Sequence, residues 1–507
     1  MPGVNPWLIA ISVMLATFME VLDTSIAAVA LPHIAGSLSA STDEATWVLT
    51  SYLVANAIVL PASSWFALKF GRKKFLLVCI VIFTVSSFLC GAATNLGMIL
   101  IARALQGAGG GALQPLSQAI LLESFPPHKR GSAMAVFALG VVVAPVLGPT
   151  MGGWLTDNYS WRWAFYINIP VGIAAMAMIS RFIHDPSYIR DAKPGKLDSI
   201  GLGLLSLWLG ALQIILDKGQ EEDWLASNLI RSLGVIMLVT FVWFLYRELT
   251  LEHPLVDLSV FKNRNFALGC LMIGLFGGVI YGIVTILPLF YQTLLGYPAS
   301  AAGIAVSPRG IGAILIMPVI GFLTSRIDNR YLIAIGFGLF GLTSLWMAGL
   351  TLDISPTSLL WPIIISGCAS GMVFVPLSTS SMGTLKNEQI GNASGLYNLL
   401  RNIGGGIGIS VVNTLISRRQ QLHRAEMIGH LSPDRGGVQQ RLQELQHTLG
   451  TPDRAWAMLN NLANQQATLW SYIDDLRYLA LVCFVCVPLV FALKKVRARQ
   501  GAAAAAH

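Results

Sequence analysis

Glu20 and Asp23 stand three residues apart inside the first long apolar stretch of the chain, which runs from Trp7 to Leu31. That stretch exceeds the roughly 20 residues needed to cross the hydrocarbon core of a bilayer. A carboxylate in such a place costs roughly 3 kcal/mol on insertion scales and is kept for a purpose. Residues three apart share one helix face. Two acids on one buried face predict a proton site, set against the plainer reading of a structural pair tied to an arginine on a neighbouring helix. Arg103, in the fourth apolar stretch, is the natural partner of Asp23. Counting about 1.5 Å per residue from the outer helix ends puts Asp23 about 12 Å deep and Arg103 about 8 Å deep. An arginine that approaches a carboxylate favours its charged form, so movement of Arg103 would switch Asp23 between holding and releasing a proton. The competing reading is a fixed ion pair that cements two helices. Glu20 lies one turn nearer the membrane centre and is read as a second proton carrier or as an attractor of cationic substrate.

Other polar residues interrupt apolar stretches. Asn56, Gln114 and Gln118 are read as lining a cavity in the first half of the chain. Tyr281, Tyr291, Gln292, Tyr397, Asn398 and Arg401 are read as lining it from the second half. Aromatic faces would hold flat or cationic molecules there, although aromatic residues near helix ends also serve as an interfacial belt. Arg401 lies among Leu399, Leu400 and Ile403 and needs an acid or water.

The elements that must position these groups are membrane helices. The chain has 507 residues, 54% hydrophobic and only 11% charged, where a soluble domain carries about 25% charged residues. Fourteen spans are predicted. The first seven lie near Leu8–Leu31, Ala45–Ala67, Phe75–Thr94, Met98–Glu123, Gly131–Leu155, Trp163–Ile183 and Ile200–Leu216. The next seven lie near Asn228–Leu249, Phe266–Leu295, Ala301–Thr324, Tyr331–Leu350, Leu359–Gly383, Asn392–Ile416 and Tyr472–Leu493. The net charge of +8 sits mostly in short loops on one side: Lys69 to Lys74, His128 to Arg130, Arg190 to Lys196, Lys262 to Arg264, Arg326 to Arg330 and the tail from Lys494 to Arg499. Such loops face the cytoplasm, so both termini are expected there. The first stretch holds two acids and no basic leader, and is read as a span rather than a cleavable signal.

One loop is long and polar, from Arg418 to Gln466, on the side opposite the basic loops. Val438, Leu442, Leu445 and Leu449 recur at helical spacing within it. A small helical hairpin outside the membrane is expected, either docking a partner or capping the outer mouth. The tail Gly501 to His507 is low in complexity and is expected to be disordered.

Several chemistries are unsupported. The six cysteines all lie in apolar stretches, and the Cys483–Cys486 pair is read as two small hydrophobes rather than a redox or zinc motif. The runs Gly107 to Gly111 and Gly404 to Gly408 follow no strand, so they are read as close-packing helix surfaces rather than phosphate loops. No metal, nucleotide or other cofactor is called for. A polytopic transferase would need a catalytic His or Asp at a membrane face, and His33 is the sole candidate with an acid in sight.

Motifs in sequence order carry a resemblance. The loop from Ser64 to Lys73 and that from Gly321 to Arg330 look like copies, one in each half, as transporters built from repeats display. With Leu22 to Pro32, Leu100 to Gly111, Ala144 to Gly153 and Trp161 to Pro170, they resemble the major facilitator superfamily. Within it they are similar to the fourteen-helix drug:proton antiporters of the EmrB/QacA type. The resemblance implies an all-α polytopic membrane fold. Its parts are a six-helix half at 8–183, two linking helices at 198–249, a six-helix half at 261–493 and a periplasmic insertion at 418–469. It implies proton-coupled export of amphipathic compounds across a bacterial inner membrane, in concert with a periplasmic adaptor and an outer-membrane channel. It assigns Arg103 to proton transfer, and Gly71 and Arg72 to a gating turn. The usual aspartate of that turn is replaced by Leu68, so the gating ion pair built on it is missing its acid. The fifth-helix motif, with Gly148, Pro149, Gly152 and Gly153, is associated with antiporters, and these residues are read as a hinge surface between the halves. A nutrient symporter would differ in direction alone and is the alternative.

Overall fold

The computed structural model describes residues 5–190, 195–252, 254–432 and 435–495. The low-complexity tail at 501–507, the tail arginines Arg497 and Arg499, and part of the basic 190–196 loop lie outside the described residues. So does Pro433, which the sequence reads as a turn.

The described residues form helices and no strands. The helices are α1 (Pro6–Ser37), α2 (Thr42–Phe70), α3 (Arg72–Gly91), α4 (Leu96–Ser124), α5 (Arg130–Asn158), α6 (Trp163–Phe182), α7 (Ser199–Lys218) and α8 (Asn228–Thr250). They continue as α9 (Arg264–Thr293), α10 (Ser300–Leu323), α11 (Asn329–Met347), α12 (Leu360–Met382), α13 (Asn387–Gly429), α14 (Gly436–Leu449) and α15 (Pro452–Val490). Thirteen of them hold a stretch long and apolar enough to cross a bilayer. The last part of α15, with Tyr472, Leu476, Leu479 and Cys483 buried, is the fourteenth crossing. This is a multi-pass membrane protein. Fourteen crossings return the chain to the face on which α1 begins, here the terminal face.

Backbone polar groups in lipid must be satisfied within the segment, and helices alone achieve that one span at a time. Caps mark where several spans start. Ser41 accepts from the Glu44 amide while the Glu44 carboxylate accepts from the Ser41 amide at 2.9 Å, a reciprocal cap. Asn95, Asp198, Asn263 and Asp328 cap α4, α7, α9 and α11 one way, each side chain accepting from a backbone amide of the first turn.

Two six-helix sets, α1–α6 and α9–α13 with α15, face each other, and α7 and α8 stand outside them. The latter two pack on each other and expose broad apolar faces, with Val235, Leu238, Val242 and Trp243 more than half exposed. Arg247 of α8 clasps Asp198 at the start of α7 through two bonds of 2.7 and 2.8 Å. The guanidinium holds the Asp198 carboxyl below its ordinary range. Asp217 at the other end of α7 accepts from Thr50 of α2, fixing the extra pair to the first set.

The polar insertion differs from the sequence expectation. The span predicted to stop at Ile416 continues unbroken to Gly429, 43 residues in all, and the last span begins at Pro452 rather than Tyr472. Between Ile416 and Ile428 there is no Pro or Gly, and Arg, Gln, Leu, Ala, Glu and Met are good helix formers. Nothing there can end the helix. At about 1.5 Å per residue α13 is about 65 Å long, twice the hydrocarbon thickness. Both helices therefore stand out of the membrane on the face opposite the termini, with α14 packed against α15.

Candidate functional site

Glycines set the depth of the first half's interior. An added Cβ on Gly107 would stand 2.3 Å from the Tyr52 carbonyl, and one on Gly111 2.5 Å from that of Asn56. The glycine run of α4 therefore lies backbone to backbone on α2. That contact carries Arg103 and Gln114 to the acids of α1.

Asp23 and Arg103 are completely buried, 0% exposed each. Arg103 Nη1 donates to Asp23 Oδ2 at 2.6 Å and to Gln106 Oε1 at 2.7 Å, and Nε donates to the Val48 carbonyl at 3.1 Å. Tyr52 lies under the guanidinium, 4.2 Å from its centre. Asp23 Oδ1 accepts from Gln106 at 2.9 Å and from Asn168 of α6 at 2.7 Å. The acid thus has three donors on two helices. A buried ion pair is stable when its remaining lone pairs are satisfied this way. The sequence reading paired Asp23 with Arg103 and missed Gln106 and Asn168. Gln106 lies in the motif from Leu100 to Gly111 and Asn168 in that from Trp161 to Pro170, and an amide in an apolar span was the available signal.

Glu20 is held differently, by uncharged groups. Asn56 donates to Oε1 at 3.1 Å, Tyr52 to Oε1 at 3.4 Å and Gln114 to Oε2 at 2.5 Å. No ion pair reaches it among the described residues. The other end of the Gln114 amide accepts from Arg401 Nη2 of α13, so a single side chain joins an acid of the first half to a cation of the second. Beside it, Asn398 of α13 donates to Gln118 of α4 at 2.7 Å. From the start of α1 to Glu20, and from the start of α13 to Arg401, each count gives about 21 Å, so both sit at similar depth.

Six of the residues read as cavity-lining, Glu20, Asn56, Gln114, Gln118, Asn398 and Arg401, therefore come together. Tyr281 joins them across a narrow cleft that it lines with Arg401, Arg309, Phe374 and Pro145. Three others stand elsewhere. Tyr291 stacks on Tyr297 at 5.7 Å and packs against Phe290. Gln292 is exposed on the outer surface. Tyr397 shares a hydrogen bond with Ser378 inside the second half. Arg309, which the sequence reading did not single out, is 5% exposed on α10. A lone arginine in the apolar stretch Ala301–Thr324 was its signal.

The fifth-helix residues present two faces. Gly148 and Gly152 press on Ser25 and Ile26 of α1, within their own half. Pro149 and Gly153 press on Gly303 and Ser300 of α10, in the other half. At the terminal face Ser132 donates to the Gly321 carbonyl at 3.3 Å, so α5 and α10 touch along their length.

The turn after α2 has an acid from elsewhere. Gly71 takes φ +87°, which glycine adopts without strain. Arg72 makes a forked pair with Glu123 at the end of α4, at 2.9 and 3.1 Å, and also donates to Tyr188 at 2.9 Å. Asp185 accepts from the Lys73 amide at 2.8 Å. Glu123 and Asp185 thus surround the turn where Leu68 replaces the usual acid. Against Gly391 of α13, an added Cβ would be 3.4 Å from Ser64 and 3.8 Å from Arg72, so this cluster sits on the seam between the halves.

Two packed six-helix sets around a polar midplane, with ionisable residues facing inward, define a secondary membrane transporter. The family model described as "Major Facilitator Superfamily" matches residues 13–409. The chain belongs to the Major Facilitator Superfamily, and it is a transporter, not an enzyme. It is 39% identical over 486 residues to the fatty acid resistance protein FarB of Neisseria gonorrhoeae, covering 96% of each chain. It is 35% identical over 510 residues to the multidrug export protein EmrB of Escherichia coli K12, covering 100% of this chain and 98% of the other. A solved human structure, the organic anion transporter MFSD10, has the same fold, with TM-score 0.61 and 14% identity over 97% of this chain and 100% of that one.

Proposed function

We propose that the protein is a proton-coupled exporter of amphipathic compounds in a bacterial inner membrane, with both termini in the cytoplasm. The observation that carries this reading is the bridge from Glu20 through Gln114 to Arg401. It is a titratable acid of one half wired to the other half at the membrane midplane. Rocking of the halves must break that bridge or the neighbouring Asn398–Gln118 bond. Glu20 and Arg401 would then face the cavity together, where a substrate replaces what each has lost.

The Asp23–Arg103 pair is the second component. Its donors come from α4 and α6, so any shift of these helices against α1 changes how well the carboxylate is held. Coupling then consists of a proton taken by an acid when its donors withdraw. The names of FarB and EmrB, relatives over nearly the full chain, support export of apolar and amphipathic compounds. The helices α13, α14 and α15 project on the outer face and would receive a periplasmic adaptor that leads to an outer-membrane channel. Substrates carried in the same direction as the proton, as in a nutrient symporter, would demand the opposite gradient response.

The test is extrusion of a fluorescent amphiphile from proteoliposomes with an imposed pH difference. Extrusion should stop when the pH difference and voltage are both collapsed. Undiminished extrusion without either would overturn the reading.

A further inference from the structure

Arg309 and Arg401 are 5% and 3% exposed, and each lies well inside a helix that crosses the membrane. An arginine in that position needs a partner. Among the described residues, neither forms an ion pair. Arg309 leaves Nε and Nη2 without an acceptor, and Arg401 leaves Nε and Nη1. The acids in the neighbourhood are committed: Asp23 to Arg103, and Glu20 to three uncharged donors, with Gln114 standing between it and Arg401.

Both arginines line one cleft, together with Val146, Phe276, Tyr281 and Phe374. Each also rests on an aromatic ring, Arg309 5.4 Å from the Phe340 centroid and Arg401 5.9 Å from that of Phe374. The backbone beneath each is pinned by a glycine. A Cβ on Gly367 of α12 would stand 2.0 Å from the Arg309 carbonyl, and one on Gly277 of α9 2.4 Å from that of Arg401. Two cations from two helices, each fixed by a glycine contact and a ring, line a common apolar cleft, and between them four buried nitrogens have no acceptor among the described residues. The cleft holds about 30 Å³, the share of roughly one water, so an organic ligand enters as the halves part.

We propose that Arg309 and Arg401 form a carboxylate-binding fork within the substrate site, and that its ligands are amphiphiles with one carboxylate and an apolar body. Guanidinium groups match a carboxylate with paired N–H donors, and the apolar walls would take the body of the molecule. A carboxylate there neutralises the surplus positive charge of the two arginines. The proposal rests on reading this midplane region as the substrate site.

The experiment measures equilibrium binding of octanoate and of octylammonium, which share a tail and differ in head, to the purified full-length protein in nanodiscs without any gradient. Octanoate is expected to bind at least tenfold more tightly than octylammonium. Arg309→Met and Arg401→Met should each weaken octanoate at least tenfold and leave octylammonium no weaker, with Arg309→Lys intermediate. Equal binding of the two probes by the wild-type protein, or octanoate affinity unchanged in both Met variants, overturns the proposal. Should a variant fail to fold, the wild-type contrast decides alone. Octanoate binding that persists in a protein showing no gradient-driven extrusion sinks the export reading and leaves the fork standing; the converse result sinks the fork alone.

Discussion

Arg401 of the second half donates to the side-chain carbonyl of Gln114 in the first, and the amide nitrogen of the same Gln114 donates to Glu20. One neutral side chain thus stands between a buried acid and a buried cation and bonds to both.

Replacing Gln114 by Leu should leave Glu20 short of its nearest donor and Arg401 with its longer bond, 3.3 Å to Asn402 Oδ1. Loss of a partner for a buried polar group costs roughly 1–3 kcal/mol. Extrusion should fall at least tenfold, with a lower melting temperature in detergent. Gln114→Asn, with the same groups on a shorter stem, should recover less than half of the activity. Wild-type activity in Gln114→Leu would show that the bridge is incidental.

The Asp23–Arg103 pair calls for a double-mutant cycle. Removing one partner of a buried pair costs roughly 3–5 kcal/mol because it strands the other charge. Asp23→Asn and Arg103→Gln should each destabilise strongly, and the double variant by less than their sum. All three should be inactive in extrusion and in substrate-driven proton release. If Asp23→Asn releases as many protons as the wild type, Asp23 is not the coupling group.

Arg72 and Glu123 hold the turn at the terminal face, beside the seam with Gly391. Glu123→Gln keeps the shape and drops the charge. In a cysteine-free background carrying Ser64→Cys, a membrane-impermeant maleimide added to the terminal face should label the thiol several-fold faster when Glu123→Gln is present. Equal labelling rates would mean that the pair does not hold this face shut.

The crossing of α10 and α12 admits no side chain at Gly367 or at Gly312, whose added Cβ would stand 2.0 Å from the Ile364 carbonyl. Gly367→Ala must push the helices apart. Overpacking of this sort costs roughly 1–3 kcal/mol. The melting temperature should drop and octanoate affinity should fall with it, since Arg309 moves with α10. An unaltered melting temperature would indicate a looser crossing.

The fourteen crossings were legible because each is a long apolar run with charges at its ends, and lipid leaves the backbone no other solution than a helix. Asp23 with Arg103, and the group from Glu20 to Arg401, could be found because a charge or amide in such a run is conspicuous. Which amides reach which acid was not legible. Gln106 and Asn168 find Asp23 through the tilt and rotation of α4 and α6, which packing sets. Tyr291, Gln292 and Tyr397 stand away from the Glu20–Arg401 group for the same reason: an aromatic or an amide in a span can face lipid, a neighbouring helix or the cavity, and composition does not choose. The length of α13 was missed because polarity was taken to end the helix, whereas only Pro, Gly or a cap would have done so.

Because α13 carries Arg401 and then runs on to Gly429 in one piece, it is a single lever with Arg401 on its inner arm. About 42 Å separates the two along the axis. A tilt of about 5° about Arg401 would therefore sweep the far tip through about 4 Å, the width of an atom or two. If Arg401 meets substrate as proposed, a partner resting on that tip would feel, without any chemical signal, whether the chamber below is loaded.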